Sequence, residues 1–363
     1  MNTRNQTYLL PFLGITLLAI IAVFLLKTKQ DSTDQKTFTT NWQSAASFIT
    51  PRRALAAATY NNYLYVLGGI DELNQYVRTV EYSKINADGQ LQQWQTTTRL
   101  NEGRFYLAAA AINGYLYAIG GAQGPLGGNN TPVATVEKAK INADGSLGSW
   151  EFAQSLTTAR RALTVNQRNN NVYALGGYNG IFLHSIEYTT VKDDGSLTPW
   201  QLSTEQSKVD RYIHSSALAN DNLYLLAGHM RNDQTVSYGD VELSRLTDSG
   251  KLSPWHVEAT TLLTPRFIAA AFSLGDYLYI LAGHDGAKRL NTVEFAPLDD
   301  KGHVGSWQHT ASLTIPRSGA ATATYRNKVY VLGGISEIGV LNSVEVATQA
   351  ADGGLGHFAI RTH

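Results

Sequence analysis

Cysteine is absent from the 363 residues. That excludes a disulfide framework, a zinc–thiolate site and a cysteine nucleophile together. Methionine occurs twice, and charge is sparse at 16% of the chain, with 29 Lys plus Arg balancing 29 Asp plus Glu. A chain with no excess of cations is not built for non-specific nucleic-acid binding, so no nucleic-acid partner is expected. Disorder is excluded by an apolar content of 43%. No His-Glu-x-x-His, Cys-x-x-Cys, Walker A or Gly-x-Ser-x-Gly motif occurs, and no cofactor is expected. Glycine (32) and tyrosine (19) are plentiful instead, which suits many short strands joined by tight turns.

Long apolar runs are also scarce, and the exception is N-terminal. Residues 8–26 carry no charge over 19 positions, and a helix of that length spans about 28 Å, close to a hydrocarbon core. The reading is a tail at 1–7, a transmembrane anchor at 8–26 and a polar linker at 27–41. A cleaved signal peptide competes with it. However, the run passes into Lys27-Thr28-Lys29 without a clear small-x-small cleavage site, which favours a retained anchor. Arg4 on one flank and Lys27 and Lys29 on the other nearly tie the positive-inside rule. The expectation is a single-pass membrane protein with its main domain outside the cytoplasm.

From Trp42 onward the chain repeats. Arg52, Arg104, Arg160, Arg211, Arg266 and Arg317 each precede by 13 residues a Tyr: 65, 117, 173, 224, 279 and 330. Three residues later comes Gly-Gly, or Ala-Gly at Ala227 and Ala282. An aliphatic-Glu pair follows, with Glu81, Glu137, Glu187, Glu242, Glu294 and Glu345. Eight residues on lies a Gly, in turns such as Asp88-Gly89, and five further an aromatic: Trp94, Trp150, Trp200, Trp255, Trp307 and Phe358. The period is about 53 residues. Each copy reads as four strands: a small apolar one after the Arg, one ending at the glycines, one carrying the Glu, and one carrying the Trp.

This pattern resembles the kelch repeat. The resemblance covers residues 42–363 and implies an all-β, six-bladed kelch-type β-propeller, preceded here by the N-terminal transmembrane helix. The copper chemistry of kelch-type oxidases needs a Tyr–Cys cross-link and is excluded by the missing cysteine. Two segments compete for the last strand of blade six, one starting at Trp42 and one ending at Phe358. The fuller match of 42–48 to 150–156 favours the N-terminal segment.

The interval from the second Gly to the Glu varies, at 12, 16, 10, 14, 11 and 11 residues. It holds the loop between strands two and three, which in an up-and-down blade emerges on the same face as the connection into the Arg. Length variation marks that face as the working face. The longest loops are 122–133 and 229–238. Six repeated Arg suit anion recognition there, but for the ring as a whole a scaffold role paired with the repeated Glu is the favoured reading, because repeat positions are usually structural. The ligand-binding candidates are Arg104, Tyr106, Tyr178, Arg211, Tyr212, His214, His229, Arg266, Phe267, His284 and Asp285. No metal site is expected, since His229 and His284 lie in adjacent blades without further ligands. The functional expectation is a membrane-anchored module whose loops bind a protein or glycan. The alternative is a sugar-active enzyme resembling the kelch-type sialate mutarotase, with Arg211, Arg266, His214 and His229 supplying the cation and the acid/base group.

Overall fold

Each repeat folds as a four-stranded antiparallel sheet because its turn residues sit where the chain must reverse. In the first blade Asn61, at φ 51°, turns Ala56–Tyr60 into Tyr63–Leu67. Gly89, at φ 84°, turns Val80–Lys84 towards Gln95–Thr97. The computed structural model describes residues 42–126, 130–229 and 238–356. Within them lie six such sheets, plus two two-stranded ribbons in the loops of blades two and six. The expected six-bladed β-propeller is what forms. The second strand is buried on both faces, as Leu64, Tyr65, Val66 and Leu67 show. The innermost strands carry small residues such as Ala56, Ala108 and Ala110 around the axis.

The ring closes through the N-terminal segment. Gln43–Ala45 pairs antiparallel with Val344–Thr348 and becomes the outer strand of blade six, with Ser44 opposite Glu345. The C-terminal competitor is described only to residue 356, after Leu355 bridges Gln349; Phe358 lies outside the described residues. Trp42 then does what three of the other five repeated tryptophans do, the indole N–H groups of Trp255 and Trp307 having no partner among the described residues. Its indole N–H donates to Ala311 O at 2.8 Å, as Trp94 does to Ala46 O, Trp150 to Thr98 O and Trp200 to Gln154 O. These rings are buried in the seams between blades.

The repeated tyrosines also staple seams. All six hydroxyls donate to the carbonyl of the turn glycine in a neighbouring blade, at 2.5–2.9 Å, from Tyr65 to Gly145 round to Tyr330 to Gly89. Each such bond contributes about 0.5–1.5 kcal/mol. The two Ala-Gly departures have a packing reason. A Cβ on Gly68 would come within 2.5 Å of Leu107 Cδ2, and one on Gly176 within 2.8 Å of His214 Cε1. Where the following blade offers only Ala269 or Ala320, Ala227 and Ala282 occupy the same position.

The expectation of a single-pass membrane protein is corrected. No helix among the described residues is long and apolar enough to cross a membrane. A span needs about 20 residues of helix, whereas the described chain is built from strands of two to five residues. The tail, anchor and linker placed at 1–41 lie outside the described residues.

Candidate functional site

The repeated Arg and Glu meet inside each blade. Arg52 pairs with Glu81 at 2.5 Å, Arg104 with Glu137 at 2.8 Å, Arg160 with Glu187 at 2.6 Å, Arg211 with Glu242 at 2.9 Å and Arg317 with Glu345 at 2.7 Å; Arg266 pairs with Glu294. Each Arg also donates to the carbonyl of the first residue of the Gly-Gly or Ala-Gly pair. The same carboxylate, through both oxygens, caps the strand-to-strand connection arriving from the blade before. Glu187 accepts from the N–H groups of Thr157 and Thr158, and Glu294 from Leu263 and Thr264. Burial lowers the pKa of Arg266 and Arg160, with the Glu charge opposing that shift. This corrects the placement of Arg104, Arg211 and Arg266 among ligand-binding residues. They are buried, and their terminal guanidinium nitrogens are taken up by carboxylates and carbonyls of the scaffold, although Nε of Arg104 and of Arg211 has no partner among the described residues.

Two residues past each Arg, the chain turns left-handed at the mouth of the channel. Ala54, Tyr106, Ala162, Ile213, Ile268 and Gly319 all have φ between 50° and 62°, costly for the β-branched Ile213 and Ile268. Their backbones bond head to tail around the axis: Tyr106 N to Ala54 O, Ala162 N to Tyr106 O, Ile268 N to Ile213 O, Gly319 N to Ile268 O and Ala54 N to Gly319 O. These bonds, at 2.8–3.2 Å, supply the constraint that holds the strained conformation. Beneath them the channel opens into a cavity of about 210 Å³ and a lower one of about 310 Å³. No Asp, Glu, Lys or Arg lines either.

Around that mouth stand the residues that occur once. The residue after each Arg bridges to the residue after each glycine pair, so Phe105 faces Ala122, Arg161 faces Tyr178, Tyr212 faces His229 and Phe267 faces His284. The structure thereby places the connections into the Arg and the loops after the glycines on one face. Tyr178, Tyr212, His229, Phe267 and His284 form a continuous arc across blades three to five, with ring centroids 4.7–5.6 Å apart. Tyr106 packs on Phe105 at 5.0 Å. Asp285 shapes its own loop, accepting from the N–H groups of Ala287 and Lys288 at 2.8 Å. Burial raises its pKa, but those two bonds together with the neighbouring charges of His284 and Lys288 outweigh it and hold the carboxyl below the ordinary value. Of the loop 229–238, residues 230–237 lie outside the described residues.

Two cations that were not among the candidates converge here. Arg53 of blade one and Arg161 of blade three, the latter 7% exposed, lie to either side of blade two, and the charges of both act on its Tyr106. Burial raises the Tyr106 pKa, against the lowering charges of Arg53 and Arg161. Arg161 lies over Tyr178 at 5.0 Å and Tyr212 at 5.6 Å and donates to Asn130, while Arg53 donates to Asn74 at 2.9 Å. Among the described residues neither is in an ion pair. The sequence signal was the doubled Arg52-Arg53 and Arg160-Arg161, in which the second Arg breaks the repeat. Three apolar tips also went unpredicted. Leu73, Ile181 and Ile338, 79%, 68% and 83% exposed, are the most exposed large apolar side chains among the described residues, and all sit on loops of this face.

His214 belongs to the seam between blades three and four. It takes the place of Leu107 and Leu163 in other blades, bonds Thr164 Oγ1 at 3.2 Å, and is pushed down to about 3 by burial and by the charge of Arg211. This seam is built differently. At the other five, the second glycine donates to the carbonyl of the next blade's Arg, as Gly69 does to Arg104 and Gly228 to Arg266. Among the described residues, neither that bond from Gly177 nor the ring bond from Ile213 to Ala162 forms.

Six four-stranded sheets around a narrow axial channel, each clasped by a buried Arg–Glu pair, define a six-bladed β-propeller. Known proteins agree. The kelch motif matches residues 51–82 and 316–346. Kelch-like protein 36 of Bos taurus is 23% identical over 303 residues, covering 82% of this chain and 46% of the relative. Kelch-like protein 13 of Homo sapiens is 34% identical over 80 residues, 22% of this chain and 12% of the relative. The chain thus spans less than half the length of these relatives. The solved structure titled "Structure of YjhT" superposes with a TM-score of 0.69 at 15% identity, covering 86% of this chain and 98% of that one. The chain thus carries kelch motifs in its first and last blades and is similar to kelch-repeat β-propellers in sequence and fold.

Proposed function

We propose that this propeller binds a protein partner through its loop face, taking up a partner carboxylate between Arg53 and Arg161 beside Tyr106. The observation that carries the reading is a contrast in charge. Every repeated Arg is neutralised by a buried Glu, whereas the two Arg that break the repeat stand at the mouth outside any ion pair of the described residues. Guanidinium groups beside aromatic faces suit a carboxylate. Leu73, Ile181 and Ile338 around the rim supply apolar contact on the same face. The upper cavity, at about 210 Å³, is smaller than the roughly 300–1,000 Å³ of ordinary small-molecule sites, which favours a partner seated across the rim. The names of the kelch-like relatives fit this reading at the level of fold.

The enzyme alternative loses the residues it relied on. Arg211 and Arg266 are paired with Glu242 and Glu294, and burial holds His214 neutral at pH 7. His229 is buried between Tyr212 and Phe267. Peptides selected against the chain from a random display library test the proposal. Acidic peptides are expected, with Arg161→Ala and Arg53→Ala each weakening them about tenfold or more, as for a lost charged hydrogen bond. Selected peptides that bind both variants as tightly as the parent chain would place the partner elsewhere.

A further inference from the structure

We infer a divalent metal site of the zinc class at the seam between blades four and five, formed by His256, Glu258 and His303. His256 lies in the outer strand His256–Val257 of blade four, with Glu258 just past its end. His303 closes the turn Asp299–Gly302 of blade five, on the face opposite the loops. Both imidazoles converge on one oxygen: His256 Nε2 lies 2.8 Å and His303 Nδ1 3.3 Å from Glu258 Oε1. The three donor atoms lie within 4.8 Å of one another, and among the described residues this is the one such group of three.

The architecture around Glu258 explains why that oxygen is available. In two other seams a Thr at the equivalent position caps the backbone of the next blade: Thr97 accepts from Leu147 N at 2.8 Å and Thr310 from Leu355 N at 2.8 Å. At this seam Glu258 Oε2 accepts from Val304 N at 3.0 Å. Capping uses one oxygen and leaves the other to the two histidines. Glu258 is buried, its side chain only 5% exposed, and that bond orients it, whereas His256 and His303 are about half exposed. One buried, fixed carboxylate facing two accessible imidazoles suits metal capture: the histidines can swing the remaining distance.

None of the three belongs to the repeat. The positions of His256 and His303 hold Gln95 and Gln90 in blade one, and Glu151 and Ser146 in blade two. No spacing motif reveals the set, because its members come from two blades. Tetrahedral coordination at metal–ligand distances of about 2.0–2.2 Å separates donors by roughly 3.3 Å, close to the two contacts to Glu258. Two His and one carboxylate favour zinc over magnesium or calcium, with water completing the sphere.

The test is a Zn²⁺ titration of the full chain against a chromophoric chelator, beside the single variants His303→Ala and Glu258→Gln. The Gln keeps an acceptor for Val304 N. We expect one equivalent bound by the parent chain, affinity at least about tenfold lower in both variants, and urea midpoints of the metal-free variants near that of the parent. A Zn²⁺-dependent rise in the parent's melting temperature is expected, and its loss in His303→Ala. No saturable binding by the parent, or a loss of under threefold in either variant, would overturn the inference.

Discussion

The seam between blades four and five and the seam between blades three and four are assembled from the same repeat and are held differently. At the first, Gly228 N donates to Arg266 O, Ile268 N to Ile213 O, and Glu294 accepts from both Leu263 and Thr264. At the second, the bonds from Gly177 and Ile213 do not form, and of the backbone N–H groups among the described residues Glu242 accepts only that of Lys208, beside its bond from Arg211. Arg211 there leans on a second carboxylate, Asp240, at 2.7 Å. The seam with fewer bonds is the one beside Arg161, Tyr178, Tyr212 and His214. Backbone fastening is reduced at the rim position where the non-repeated side chains are densest, as expected where a repeat scaffold carries a site.

The largest effect should come from removing a carboxylate. Glu294→Ala leaves Arg266 buried without a counter-charge and should cost about 3–5 kcal/mol by urea unfolding. Glu242→Ala should cost at least about 1 kcal/mol less, because Asp240 retains one charged bond to Arg211. Equal losses would erase the distinction between the seams.

Next comes crowding at the seam between blades three and four. Gly176→Ala places a Cβ 2.8 Å from His214 Cε1 and should cost about 1–3 kcal/mol. In a His214→Ala background the same substitution should cost much less, since Ala227 and Ala282 already occupy that conformation at φ 61° and 56°. A cost unchanged by His214→Ala would mean that backbone strain, not His214, excludes alanine.

The smallest effect is the pH dependence of His214. With a folded-state value of about 3 against about 6.5 when unfolded, only the unfolded chain takes a proton between these limits. Stability is therefore complete above pH 6.5 and is lost as pH falls towards 3. Relative to the parent, His214→Leu should gain about 1 kcal/mol between pH 7.5 and 5.5. Parallel stability profiles for the two chains would show that His214 titrates normally.

Much of the frame was legible. The constant intervals from Arg to Tyr and from Glu to Gly mark strands that do one job six times, so blade number and strand order followed from spacing, and closure through the N-terminal segment from its fuller match to 150–156. The site was less legible. Tyr106 and the arc of Tyr178, Tyr212, His229, Phe267 and His284 stood out because they depart from the repeat. Arg53 and Arg161 depart from it equally, but each is masked by the repeated Arg beside it. Side-chain type could not separate Arg160 from Arg161, since alternate residues of a strand face opposite ways. Only the fold shows which guanidinium meets Glu187 and which reaches the mouth.

The sequence by itself determined the local events. Asn and Gly take the positive φ that turns require, alternating apolar residues build strands, and a period of about 53 residues sets six units. Tertiary structure decided the pairings within and between units: Glu187 as the partner of Arg160 inside one blade, and Tyr173 on Gly250, Trp42 on Ala311, and His303 beside His256 and Glu258 between blades. Those contacts join residues 27 to 269 positions apart. No local preference encodes them; they exist because six sheets must share one axis and bury both faces against their neighbours.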